Sequence, residues 1–302
     1  MNRSGIVPLE AGTSGYPPGL LSLEDPPPVL FTLGRVDLLV RPSVAIVGTR
    51  QATAYGLRVT ARLAAGVSAA GVTVVSGLAR GVDAHAHRAA LSGPGRTIAV
   101  LGTGADVAYP KENEALYDMV RDEGLIVSES LPGVRAHPGS FPRRNRIIAA
   151  LADVVVVTEA GIKSGALITA GVAVALGRMH GAVPGPVDVP TSLGSNQLLR
   201  DGAQVVTTVD DLLGLVRLTT RGRTWPMARS GMTERAPAAD LSADEARLVD
   251  VLRAGPRLPD ELLAATGMAP AILAATLAIL TVMGHATVEA GGEVRLTDAS
   301  DS

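Results

Sequence analysis

Residues 141 to 148 read FPRRNRII, with arginines at 143, 144 and 146 around Asn145, directly behind Phe141. The chain has only two phenylalanines in 302 residues, so this one has to be accounted for. A guanidinium offers a planar fork to phosphate oxygens. A ring beside it offers a face on which a base can stack. Backbone cations plus a stacking ring are how single strands are held without reading sequence. The same residues also have plainer readings: a solvated helix face for the arginines and core packing for Phe141. Asn145 could bond a sugar or base edge, or simply start the helix running through IIAAL.

A second set of residues points to phosphate. Five glycine-bearing turns follow probable strands: GTR at 48–50, SGLARGVD at 76–83, GTG at 102–104, TEAGIKSG at 158–165 and PGPVD at 184–188. Glycine permits close backbone approach, and helix N-termini present unpaired N–H groups to anions. None of the five is GxGxxG opening a helix or GxxxxGK[ST], and any tight strand-to-helix turn needs glycine anyway. Five along one sheet edge, with Arg50 and Lys163 in two of them, argue for a phosphate-lined crevice. Residues suited to hydrolysis are sparse. His85 and His87 stand two apart, pointing to different helix faces, a poor metal pair. His137 sits in a proline-flanked loop without a recognisable partner, and Asp83 reads as the cap of the helix it opens. Glu159, just after a strand, is the best lone candidate for acid/base work, though carboxylates there also hold loops in place.

These turns must be positioned by a sheet. From residue 43 onward, short β-branched runs alternate with alanine-rich stretches of helical length. The runs are 43–47, 72–75, 97–101, 125–128, 153–157, 180–183 and 203–206. Apolar strands without alternation, separated by helices, indicate a parallel sheet covered on both faces, an α/β doubly wound domain over 43–215. Residues 1–42, with their proline clusters, read as a lead-in packed on that sheet. Residues 216–240 lose periodicity and read as a linker. Residues 241–297 hold three helices and a hairpin around Gly-Gly, a small winged-helix module that starts with Ser242 and Glu245 in a capping-box pattern. Residues 298–302 form a tail.

Composition narrows the class. Hydrophobic residues make up 47%, net charge is −2 and there are no cysteines, which excludes disulfides, cysteine-ligated zinc and thiol nucleophiles. The N-terminus lacks the apolar run of a signal peptide, and the longest nearly apolar run, 269–283, is short for a bilayer, so a soluble cytoplasmic protein is expected. Charge is unevenly spread. Residues 131–150 hold four arginines, one histidine and no acid, whereas 241–302 hold nine acids against four arginines. A polyanion site therefore belongs to the first part of the chain.

The stretches YPPGLLSLEDPPPVL, VAIVGTRQATAYG, VVSGLARGVDAHAHRAAL, TIAVLGTGADVAYPKENEAL, SFPRRNRIIAALADVVVVTEAGIKSGALITAGVA and GSNQLLRDGA occur in order and together resemble the DNA-processing protein A family (DprA, also called Smf). The resemblance implies an extended Rossmann-like domain that binds single-stranded DNA and helps load a RecA-type recombinase, best known in natural transformation. It also implies a homodimer through that domain, no cofactor and no catalysis. Carried over residue by residue, the DNA pocket would use Gly48 and Arg50, then Phe141, Arg144, Asn145 and Arg146, and then Lys163, Ser164 and Gly165. Arg143 and Arg80 would be neighbours. Many members carry a small helical domain ahead of the Rossmann part, which this chain starts too close to YPPGL to hold. The helix a winged-helix protein lays in a DNA groove is here APAILAATLAILTVM, without a Lys or Arg, so the module is expected to serve packing or protein contacts rather than grip DNA. The rival is a nucleotide enzyme of the phosphoribohydrolase kind, with Glu159 assisting N-glycosidic cleavage, although TEAGIKSG replaces the PGGxGTxxE signature of those enzymes.

Overall fold

The structure, a computed structural model, describes residues 5–137, 139–220, 243–282, 286–289 and 292–297. They fall into two compact units, the first formed by the described residues up to 220 and the second by those from 243 onward.

The first unit is built on nine strands: β1 (Val7–Glu10), β2 (Val29–Gly34), β3 (Ser43–Val47), β4 (Thr73–Ser76), β5 (Thr97–Leu101), β6 (Leu125–Ser128), β7 (Val154–Val157), β8 (Met179–Ala182) and β9 (Gln204–Val205). Their order is β1-β2-β6-β5-β4-β3-β7-β8-β9. All seven expected runs are strands, each within two residues of its expected bounds, and β6 through β9 pair in parallel. The lead-in does more than pack on the sheet. Its β2 pairs antiparallel with β6 and its β1 with β2, so residues 7–34 extend the sheet by two strands.

Alternation of side chains along the central strands separates two cores. Ala45, Val47, Val155 and Val157 face helices α4 (Ser140–Leu151) and α5 (Gly165–Ala175) together with Leu20 and Leu38 of the lead-in. Val44, Ile46, Val154 and Val156 face α1 (Ala54–Ala69), α2 (Val82–Leu91) and α7 (Val209–Thr219). Helix α3 (Glu114–Glu123) covers β5 and β6, and α6 (Leu193–Arg200) precedes β9. Helix α7 runs to Thr219, into the stretch expected to be linker, because Leu212, Leu213, Leu215 and Val216 bury its inner face. Residues 221–242 lie outside the described ones, and with them Ser242 of the expected capping box.

The second unit has helices α8 (Ala243–Leu252), α9 (Pro259–Thr266) and α10 (Pro270–Val282), followed by the antiparallel pair β10 (Ala286–Val288) and β11 (Val294–Leu296). Leu248, Leu252, Leu262, Leu273 and Leu280 form its core. Three helices and a hairpin are the winged-helix arrangement read from the sequence. Among the described residues no helix is long and apolar enough to cross a membrane.

Chain order places a reversal at β3. The chain steps outward from β3 through β4, β5 and β6, then returns to the other side of β3 with β7. The crevice beyond the carboxyl ends of β3 and β7 is therefore the topological switch point, where open α/β sheets bind ligands.

One turn at that edge holds a buried histidine. Leu78, after β4, takes a φ of 56°, unusual for a residue with a side chain. Its N–H donates to His87 Nε2 at 3.2 Å and its carbonyl accepts from Asn113 Nδ2 at 2.9 Å. The proton of the ring therefore sits on Nδ1, 2.7 Å from Thr97 Oγ1. Burial, then the charges of Arg144 and Arg88, push the His87 pKa down to about 3. Against about 6.5 in an unfolded chain, a depressed histidine pKa means that the unfolded state binds the extra proton. The stability His87 contributes is complete above about pH 6.5 and is lost as pH falls towards 3. We predict that between pH 7.5 and 5 wild type loses about 2 kcal/mol relative to His87→Gln, at roughly 1.4 kcal/mol per pH unit below 6.5. Denaturant unfolding of both proteins across that range measures it, and parallel pH profiles would refute it.

Candidate nucleic-acid interface

Helix α4 carries the whole FPRRNR stretch. The helix starts at Ser140, ahead of the arginines rather than at Asn145. Pro142 does not prevent this, because a proline in the first turn has no intrahelical N–H bond to lose. At about 100° per residue, positions 140, 144, 147 and 148 make one stripe, and all four residues are buried against the sheet. Phe141 and Asn145 fall on one flank of that stripe, Arg143 and Arg146 on the other.

The rotation of α4 sorts the expected site residues. A cleft of about 700 Å³ opens at the β3/β7 switch point, and Gly48, Arg50, Phe141, Arg144, Asn145, Lys163, Ser164 and Gly165 all line it. Arg143 and Arg146 do not. Arg146 donates to Glu129 at 2.5 Å, and the Arg143 Nε lies 3.3 Å from the same carboxylate. Both also approach Asp25 of the lead-in at 3.9 Å. Two of the four cations expected in the pocket from FPRRNR and GTR thus fasten α4 to the opposite side, because they occupy the other flank of the helix.

Arg144 lines the cleft from below. Its residue is 5% exposed, and its guanidinium donates to the carbonyls of Gly77, at 2.5 Å, and of Val100. A Cβ on Gly77 would collide with that guanidinium. Burial is the main influence on its pKa, lowering it to about 10, which leaves it charged at neutral pH. The nearby Asp83 carboxylate offsets part of that cost, and burial in turn raises the Asp83 pKa. Asp83 does not cap α2 as the sequence suggested. It accepts from the N–H groups of Gly77 at 3.2 Å and Ala79 at 3.4 Å, holding the turn that Arg144 also grips.

Above that floor Arg50 and Lys163 are exposed and the Phe141 ring is half-buried. The Arg50 guanidinium lies 5.3 Å from the Phe141 ring centroid, a cation–π distance. Tyr109, which the sequence reading did not single out, sets its ring centroid 5.3 Å from that of Phe141, tilted by 33°. Asn145 Nδ2 reaches the Gly165 carbonyl at 3.3 Å, joining α4 to the first residue of α5. Ser164 caps α5 through its side chain.

The turns are bonded to one another. Thr49 N–H donates to the Glu159 carbonyl at 2.7 Å, and Val82 N–H to the Thr49 carbonyl at 3.2 Å. Glu159, the acid/base candidate, is 2% exposed and accepts from Thr53 N at 2.9 Å, Thr53 Oγ1 at 3.1 Å and the Thr191 hydroxyl. A Cβ on Gly56 would strike its carboxylate. The carboxylate is a bracket for the start of α1. Among the described residues no cluster of three or more His, Asp or Glu side chains could hold a metal ion.

This geometry has close relatives. The family model for DNA recombination-mediator protein A matches residues 9–217, and that for the DprA winged helix domain matches residues 232–292. A DprA-type DNA processing protein of Mycobacterium tuberculosis is 43% identical over 268 residues, 88% of this chain and 68% of its own. The X-ray structure of DNA processing protein A from Streptococcus pneumoniae is similar at a TM-score of 0.67 and 41% identity, over 69% of this chain and 74% of that one. A Helicobacter pylori DNA processing protein A, solved to describe its single-stranded DNA binding mode, is similar at 0.64 and 32%, over 70% and 95%. A family match over residues 9–217, joined to a second over the winged helix, settles the classification: the chain belongs to the DNA recombination-mediator protein A (DprA) family.

Proposed function

We propose that the switch-point cleft binds single-stranded DNA by its sugar-phosphate chain. The observation that carries this is the Arg50 guanidinium and Phe141 ring side by side on the rim, facing Lys163 and the Ser164–Gly165 turn across one cavity. Cations then meet phosphates while the ring accepts one unpaired base, an arrangement that duplex DNA, with its bases already stacked, does not satisfy. The H. pylori relative's single-stranded DNA binding mode supports the same reading for this chain. Gly48, Asn145, Ser164 and Gly165 act as close-approach and polar positions, and Arg144 sets the floor.

The finer reading is that the protein is a recombination mediator without catalysis, which hands the strand to a RecA-type recombinase in the cytoplasm, as in natural transformation. It would act as a homodimer through the α/β unit. The family's description as a recombination mediator supports this. The winged-helix unit does not grip DNA by α10, which has no Lys or Arg to meet phosphates. The nucleotide-hydrolase alternative needs a free acid at position 159, and that carboxylate is already held by three donors. Release of free base from AMP or CMP would revive it.

Fluorescence anisotropy on an oligothymidine at several salt concentrations tests the assignment. Arg50→Ala and Lys163→Ala are each expected to weaken binding and flatten the salt slope by about 0.7. Phe141→Ala is expected to cost about 1 to 3 kcal/mol with the slope unchanged. Arg143→Ala should change neither. Equal effects at 143 and 50 would contradict the reading. Arg144→Ala acts differently: it strands two buried carbonyls and is expected to lower folding stability by roughly 2 to 4 kcal/mol in urea unfolding.

A further inference from the structure

A second cavity lies on the far side of Phe141 and Arg50, which line both spaces. It is smaller, about 270 Å³ against about 700 Å³, and more enclosed. That is roughly nine waters' share of liquid volume, room for one nucleotide-sized group but not for a run of them. Most of its wall comes from the turns after β4 and β5, and Gln51, Ala79 and Arg144 also line both spaces, so the recess adjoins the cleft.

Its lining is one-signed. Arg50, Arg80 and Arg144 contribute to it, and among the described residues no carboxylate does. Arg80 has one acidic neighbour, Glu112 at 3.6 Å, in a pair with both side chains more than half exposed. Water screens such a pair, so Arg80 stays available to a ligand. Arg144 is 5% exposed, and its Nε has no hydrogen-bond partner among the described residues. A buried charged donor with an unmet bond calls for a ligand or a water. Along another wall, Tyr109 and Phe141 make an apolar corner.

Charge decides what fits. An internal phosphodiester carries one negative charge, whereas a phosphomonoester carries about 1.5 to 2 at neutral pH. Arg144 already has the Asp83 carboxylate behind it, so Arg50 and Arg80, whose Glu112 neighbour is screened by water, supply the uncompensated charge, about two against the single charge of a passing phosphodiester. They suit a phosphomonoester, which in a strand occurs only at an end.

We propose that this recess is an end site. It takes the terminal nucleotide of a single strand, with its phosphomonoester among Arg50, Arg80 and Arg144 and its base against the Tyr109–Phe141 corner, while the rest of the strand leaves past Arg50 through the cleft. The proposal rests on the single-strand reading above and adds to it a preference for phosphorylated ends.

The test uses the full chain. Six-residue oligothymidines with a 5′-phosphate, a 3′-phosphate or hydroxyls at both ends compete against a long internally labelled oligothymidine. Thymidine monophosphate and thymidine are compared separately by calorimetry. One phosphorylated hexamer is expected to compete about tenfold better than the hydroxyl-ended one, the worth of one or two added charge-assisted bonds. In Arg80→Ala the two should become equal. Which hexamer wins identifies the end, and binding of thymidine monophosphate over thymidine would show that free nucleotides also enter. Equal competition by all three hexamers, with no preference for the monophosphate, overturns the end site even where the long strand binds well. A phosphate preference that survives in Arg80→Ala overturns it too. If the long strand fails to bind but the monophosphate binds through Arg80, the cleft reading falls and the recess stands.

Discussion

A single buried cation governs the geometry of this edge. Arg144 reaches from α4 to the carbonyls that end β4 and β5, partners 67 and 44 residues away in sequence. Those bonds fix the rotation of the helix about its axis. Once position 144 points down, Phe141 and Asn145 must flank the cleft, and Arg143 and Arg146 must face the lead-in. The neighbours follow the same constraint. Gly77 has no room for a side chain, Asp83 supplies compensating charge, and His87 stays neutral beside the guanidinium.

The arrangement separates two jobs that arginines can do. Buried deep, a guanidinium costs desolvation and repays it only through well-placed acceptors, so Arg144 works as a fixed strut and a source of field. At the surface, Arg50 and Lys163 are exposed and stay hydrated, which suits the proposed phosphate contacts. Arg143 and Arg146 do a third job: through Glu129 and Asp25 they tie the helix to the antiparallel extension of the sheet. Glu159 shows the same division among acids. Its carboxylate orders the start of α1, and so the turn that presents Arg50, without facing a substrate.

Much of this was legible in the chain. Strands β3 to β7 are β-branched apolar runs buried along their whole length because both faces of the sheet are covered there, and that leaves a plain signature, whereas β8 and β9 at the sheet's edge are only partly buried or exposed. Of the five glycine turns, those at 48–50, 76–83 and 158–165 line the cleft, GTG at 102–104 lines only the smaller recess, and 184–188 lines neither. Two things were harder. Residues 29–34 are short and follow three prolines, which hid a strand whose alternate burial of Leu30 and Thr32 shows only when β6 is beside it. Arg144 carried a local signal, since it shares a helical stripe with Ile147 and Ile148. What makes its burial tolerable is the pair of distant carbonyls, and no local pattern announces those. Tyr109 was missed for a similar reason, as its link to Phe141 exists only in the fold.

The central claim is that unpaired bases lie against Phe141 at the switch-point cleft. Photocrosslinking the full chain to an oligodeoxynucleotide containing 4-thiothymidine, followed by peptide mass spectrometry, addresses it directly. Adducts are expected on Phe141, on Tyr109 and in the turns at 48–51 and 161–165. Adducts confined to residues 243–297, or spread over the surface without enrichment at α4, would contradict it.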